Sequence, residues 1–282
     1  MRNHHDIRRL IRLPVGSRAR NHHRDRAGHD PERHLQVAEA AARHRAYLSE
    51  FLGTAALLFT VVTVVRWLFG TDSALAHALP GLHLRIILVG LTVGILLWLL
   101  IVSPIGRSSG GHFNPAVTVS FWLLGALPGA DVAPYLTAQT LGSVAGTALG
   151  RLVWGATVSR SPIAYAVIQP THGSTQPLVL TVEAISIIVL MGAVTFFLAR
   201  PALARWTLVV VGVAVAALIS GTGAWTGGSF NPARQFGPAL LSGQHAFLAS
   251  YMIGPLAGAL AVAALRRSYA TKRLLSCQLC GA

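Results

Sequence analysis

Charge is what this sequence has least of. Only 11% of its 282 residues are Asp, Glu, Lys or Arg, where soluble domains carry about 25%. The shortage is also uneven. Residues 1–45 hold 11 of the 23 basic residues, while long interior runs hold no charge. A chain that is 53% hydrophobic with its charge at the ends reads as a membrane protein. Cysteine is nearly absent too. Cys277 and Cys280 form one CxxC near the C-terminus, two ligands where a structural zinc site takes four. The pair reads as reduced cytosolic thiols, and no metal is expected. No aromatic residues alternate with the N-terminal arginines and no nucleic-acid module is present, so nucleic acid is not the expected partner. Anionic lipid headgroups suit that basic excess better. A Gly-rich phosphate loop and a nucleotide fingerprint are missing, as is any nucleophile paired with a base inside the apolar runs. Neither a cofactor nor an enzymatic activity is expected.

What remains is apolar sequence in long stretches. Runs near 47–69, 85–105, 132–154, 179–199, 205–223 and 246–265 each approach the roughly 20 residues that span a bilayer. The fifth leads into "SGTGAWTGGSF", too rich in glycine to be expected as one continuous helix. The 45 residues before the first run do not resemble a secretory signal, in which an apolar core follows a short basic region directly. An even number of spans puts both ends on one side. Arg2, Arg8, Arg9 and Arg12 at one end, with Arg266, Arg267, Lys272 and Arg273 at the other, mark that side as cytoplasmic. The expected organisation is a basic disordered tail at 1–45, a membrane domain at 46–267 and a cytoplasmic tail at 268–282. Within the domain, one repeat covers about 46–155 and a second about 179–267.

The repeat is carried by two near-identical words, "GGHFNPAVT" at 110–118 and "GGSFNPARQ" at 227–235. Each follows a set of spans, and an odd number of spans per set makes the copies enter from opposite faces. This is the signature of an inverted repeat with broken helices near the midplane. Irregular backbone at that depth survives where it lines a water-filled cavity or is buried in protein. Asn114 and Asn231 are good N-cap residues, and Pro115 and Pro232 fit the first helical position, with Ala116 and Ala233 following. The short helices that follow would each cross about half a bilayer, meeting at their positive ends. Two amides at a pore midpoint can hydrogen-bond water, while two positive helix ends repel cations. Arg234 is the one Asp, Glu, Lys or Arg between Trp206 and Leu265. So isolated a charge is expected to face an aqueous cavity. Glu50 and Glu183 occupy equivalent places in the repeats, and are expected to brace the re-entrant loops rather than to relay protons.

The paired words, together with "YLSEFLGTAALLF", "LTAQTLGSVAGTAL", "VEAISIIVL" and "YMIGPLAGAL", resemble the aquaporin (major intrinsic protein) family over about 45–267. The resemblance implies an all-α membrane protein of six transmembrane helices plus two re-entrant half-helices, with one pore per subunit. It also implies a homotetramer in the cell membrane. It makes Asn114, Pro115, Ala116, Asn231, Pro232 and Ala233 the pore motifs, Arg234 part of the outer constriction, and His112 pore-lining on the cytoplasmic side. Counting as the family pattern does, the other filter positions fall at Gly94, Gly228 and Ile219, with Ser220 adjacent to the last. Glycine at two of them implies a wide mouth, similar to that of nodulin-26-like proteins. Gln235 stands where glycerol channels carry Asp. The expected function is passive passage of water and small neutral solutes such as glycerol, urea or metalloid hydroxides, without ions or protons. A strict water channel is the alternative. A coupled transporter is a further one, but it would need an ion site, and the motifs offer amides rather than carboxylates.

Overall fold

The computed structural model describes residues 31–269, so the basic start of the chain, Cys277 and Cys280 lie outside the described residues. The described residues divide at Ala38 into two compact units. Of the first unit, residues 31–38 are described, and they are helical. In chain order the helices are α1 (Pro31–Phe69), α2 (Ala74–Ala78), α3 (Leu82–Val102), α4 (Pro104–Ser109), α5 (Pro115–Leu123), α6 (Gly129–Trp154), α7 (Gln176–Leu198), α8 (Pro201–Ala204), α9 (Thr207–Thr226), α10 (Pro232–Ser242) and α11 (Leu248–Tyr269). Two short 3-10 turns, Gly155–Ser159 and Ala164–Ala166, lie between α6 and α7.

Helix begins earlier than the expected boundary at 45. Pro31 suits a first helical position, and the alanines, glutamates and arginines of "PERHLQVAEAAARHR" are strong helix formers. Residues 31–45 are therefore helical, a correction to the disordered tail expected there. Among the described residues, five helices are long and apolar enough to cross a membrane: the stretch Gln36–Phe69 of α1, then α3, α7, α9 and the stretch Leu248–Ser268 of α11. The sixth expected span is α6. Its 26 residues are ample length, but Gln139, Ser143 and Thr147 dilute its apolarity, and all three are fully buried. Its polar stripe faces protein.

The second correction concerns α9. It runs straight through Gly221 and Gly223 and ends at Gly227, whose left-handed φ of 77° forms the C-cap. Glycine weakens a helix in water, but here it permits close packing. A Cβ on Gly223 would lie 2.6 Å from Ile86 of α3. The same device joins the helices within each repeat. Gly142 and Gly146 of α6 lie against the backbone of Phe51 and Ala55 in α1, and Gly254 and Gly258 of α11 lie against Leu180 and Ala184 in α7. Small residues are the usual way for helices to approach in lipid, where burial of apolar surface gives no net drive. Outward-facing Leu149, Leu152, Ile185, Val189, Val213 and Leu260 are exposed, as suits a chain solvated by hydrocarbon.

Candidate functional site

Each repeated word opens a half-helix. Asn114 caps α5 by accepting from the Ala116 N–H at 2.9 Å, and Asn231 caps α10 by accepting from Ala233 at 3.0 Å and Arg234 at 3.3 Å. Pro115 and Pro232 occupy the first helical positions. The helices have 9 and 11 residues, or about 15 Å each. The asparagines also tie the repeats together. Asn114 Nδ2 donates to the Phe230 carbonyl at 3.0 Å, and Asn231 Nδ2 donates to the Phe113 carbonyl at 2.9 Å. Each amide group carries a further N–H hydrogen, and both asparagines line one cavity.

Those carbonyls reach across because the phenylalanines adopt left-handed backbone, φ 46° at Phe113 and 32° at Phe230. Such a conformation costs on the order of 1–3 kcal/mol per residue and persists only when its surroundings impose it. Glu50 and Glu183, both fully buried, impose it. Glu50 accepts from the His112 N–H at 3.0 Å, the Phe113 N–H at 2.7 Å and Gln139 Nε2 at 2.7 Å. Glu183 accepts from the Thr226 hydroxyl at 3.2 Å, the Ser229 N–H at 3.3 Å and the Phe230 N–H. Tyrosines complete the symmetry. Tyr135 of α6 donates to the Ser109 carbonyl and Tyr251 of α11 to the Thr226 carbonyl, both at 2.6 Å.

The cavity has a volume of about 80 Å³, room for a few waters in a narrow passage. Most of its wall is aliphatic. Val89, Val93, Leu97 and Ile101 of α3 form one stripe at four-residue spacing, and Val211, Val215 and Ile219 of α9 form another. Polar groups interrupt it at Asn114, Asn231, His112, Ser229 and Arg234. Arg234 Nη1 donates to the Ala166 carbonyl at 2.8 Å, and Arg234 is the one charged side chain of the wall among the described residues. His112 is 4% exposed, its Nδ1 3.1 Å from the Thr118 hydroxyl and its ring stacked on Phe121 at 4.9 Å.

The expected ring of filter residues is gathered in part. Ile219 and Gly228 both line the cavity with Arg234. Ser220 turns away, its hydroxyl donating to the Ala216 carbonyl at 2.7 Å. Gly94 does not line the cavity. A Cβ there would meet the Gly212 carbonyl and lie 2.9 Å from Ala216 Cβ, so the residue sits in the seam between α3 and α9. Gly90 lies in the same seam, 3.4 Å from Ile219 Cβ by the same construction. The neighbouring Val89 faces the cavity. A valine therefore stands on α3 beside Ile219 where glycine was expected, and the wall there is bulkier. Sequence reading also passed over Gln139 and Ser143 of α6. Ser143 donates to the Ala233 carbonyl and accepts from the Gly237 N–H, anchoring α10. Their four-residue spacing with Thr147 in an otherwise apolar run was the available signal. No group of His, Cys, Asp and Glu fit to hold a metal occurs among the described residues.

Two capped half-helices meeting tip to tip in a single polar-punctuated cavity, within a bundle of apolar helices, define a membrane channel. The sequence model of the Major intrinsic protein family matches residues 37–266, and the chain belongs to that family. It is 30% identical over 228 residues to the probable aquaporin NIP7-1 of Arabidopsis thaliana, covering 81% of this chain and 78% of the relative. It is 37% identical over 177 residues to the probable aquaporin AqpM of Archaeoglobus fulgidus, covering 58% and 68% respectively. The fold matches the X-ray structure of the aquaglyceroporin from Plasmodium falciparum with a TM-score of 0.69 at 20% identity, over 81% of this chain and 97% of that one. The family is one of channels rather than enzymes, and this is a multi-pass membrane channel for water and small solutes.

Proposed function

We propose that the cavity conducts water and small neutral solutes passively and refuses ions and protons. The observation that carries this reading is the pairing of Asn114 and Asn231 at the tips of opposed half-helices, each bonded to the other repeat's backbone. Amide donors at two positive helix ends can orient a water or hydroxyl by its oxygen and make a cation unwelcome. Arg234, with Val89, Ile219 and Gly228, forms the outer filter. Its guanidinium gives permeants a donor and repels cations, while the aliphatic members leave them unbound and mobile. Glu50 and Glu183 support the loops by accepting from their backbone N–H groups and from neighbouring side chains. His112 lines the cytoplasmic end.

Val89 in place of the expected glycine narrows the permeant range. Water, urea and glycerol fit an aliphatic mouth with one donor, and planar boric acid fits better than bulkier metalloid hydroxides. The likeness to an aquaglyceroporin structure is in keeping with a solute range beyond water. Basic residues at both ends of the chain support cytoplasmic termini, and a homotetramer in the plasma membrane is the assembly in keeping with the family. The test is a stopped-flow panel in proteoliposomes with water, urea, glycerol, boric acid and arsenous acid, alongside current recordings. Osmotic flux without current, needing no ion gradient, is the expected result. Solute uptake abolished by an ionophore, with no osmotic flux, would establish coupled transport instead.

A further inference from the structure

The geometry points to Gln235 as the residue that positions the filter, by clamping the α6–α7 loop over Arg234. This rests on reading the Arg234 end of the cavity as the filter. Gln235 is 2% exposed although it belongs to a half-helix beside the cavity. Its Oε1 accepts from the Ile168 N–H at 3.1 Å, and its Nε2 donates to the Ile168 carbonyl at 3.0 Å. One primary amide thus satisfies both polar groups of one residue, as a neighbouring strand would. Two residues earlier in the loop, the Ala166 carbonyl accepts from Arg234 Nη1, which also lies 3.4 Å from Gln235 Oε1.

The clamp acts on a segment that would not hold this shape unaided. Ala164, Tyr165 and Ala166 all have left-handed backbone, with φ of 42°, 57° and 60°. Three such non-glycine residues in a row store strain that must be offset by outside contacts. The carbonyl aimed at Arg234 belongs to the last of them. Gln235 and the Thr171 N–H, which donates to the Trp225 carbonyl at 3.0 Å, hold the two sides of the turn down. Side-chain chemistry makes the requirement specific. A carboxylate at 235 could accept from the Ile168 N–H but would face the Ile168 carbonyl with no proton to give. It would also compete with Ala166 for Arg234. The identity of residue 235 therefore decides where the Arg234 guanidinium rests, and through that the width of the mouth.

The test uses the full-length chain with Cys277→Ser and Cys280→Ser, carrying Ile168→Cys as a reporter that leaves the backbone bonds in place. Gln235→Leu removes both clamping bonds, and Gln235→Glu removes only the donation while keeping the size. A membrane-impermeant maleimide should label Cys at 168 slowly in the parent and at least about fivefold faster in both variants, the order expected from losing a buried hydrogen bond. In the same vesicles the ratio of glycerol to water permeability should rise in both variants. If Gln235→Leu fails to fold by size-exclusion chromatography, the isosteric Gln235→Glu decides alone. Unchanged labelling and an unchanged ratio would overturn the clamp. A parent that conducts no water but still shows the labelling contrast would overturn the filter reading and leave the clamp standing.

Discussion

A carboxylate sealed inside a membrane protein is tolerable only when donors fill its coordination sphere, and Glu50 and Glu183 show how specific that filling is. Each holds two consecutive backbone N–H groups of an irregular loop and adds side-chain partners, Gln139 and Ser109 for Glu50 and Thr226 for Glu183. Replacement by glutamine turns an acceptor oxygen into an NH₂ facing N–H groups. Hydrogen bonds to charged groups contribute about 1.5–3 kcal/mol each. Glu50→Gln and Glu183→Gln should therefore each lower the melting temperature in detergent measurably, with water flux lost in proportion to misfolded protein. A melting temperature equal to the parent's would show that the loops hold their left-handed phenylalanines by other means. These carboxylates were legible in the sequence because they recur at matching places in a chain almost empty of charge. Their partner Gln139 was not, because polar uncharged residues do not interrupt an apolar run strongly enough to stand out one at a time.

Elements were easier to find than to phase. The two half-helices announce themselves through Asn-Pro, since an N-cap followed by proline writes a helix start in consecutive residues. The face that α3 turns to the cavity has no such marker. Counting back from Asn114 crosses the break at Ser103 and the short helix α4, and the count carries no information on how those residues rotate the helix. The physical signal was a different one. Gly90 and Gly94 stand four apart, as do Gly212, Ala216 and Ser220 on α9, and small residues at that spacing mark a close helix–helix seam. The stripe next to it, Val89, Val93 and Leu97, is then left to face the cavity. Two substitutions separate these faces. Val89→Phe should cut glycerol and boric acid permeability well below the parent while water flux falls less, with the melting temperature nearly unchanged. Gly94→Ala should do the opposite, because its methyl would press on the Gly212 carbonyl. Overpacking of this kind costs about 1–3 kcal/mol. Selectivity that shifts with Gly94→Ala at unchanged stability would return Gly94 to the filter.

At the scale of the whole molecule, no residue lining the cavity carries a thiol. No cysteine occurs before Cys277, so mercurials should leave water flux intact. Block that persists after Cys277→Ser and Cys280→Ser would contradict that expectation. The fold class and the inverted repeat were legible because they are written in long-range repetition, whereas the loop beside Arg234 is held by bonds to Gln235 that link residues 67 positions apart. The same remoteness governs the asparagine bonds, which join residues 116 and 118 positions apart. A ribosome adding about 5–20 residues per second completes the first asparagine's loop roughly 6–23 s before its acceptor exists. During that interval the newborn first half sits in the bilayer with its central amide and the Phe113 carbonyl unanswered. Such a half is a poor resident of lipid on its own. The final partner is delivered only once Phe230 and Asn231 are made, so messages truncated before Asn231 should yield chains that quality-control proteases clear rather than half-channels that persist.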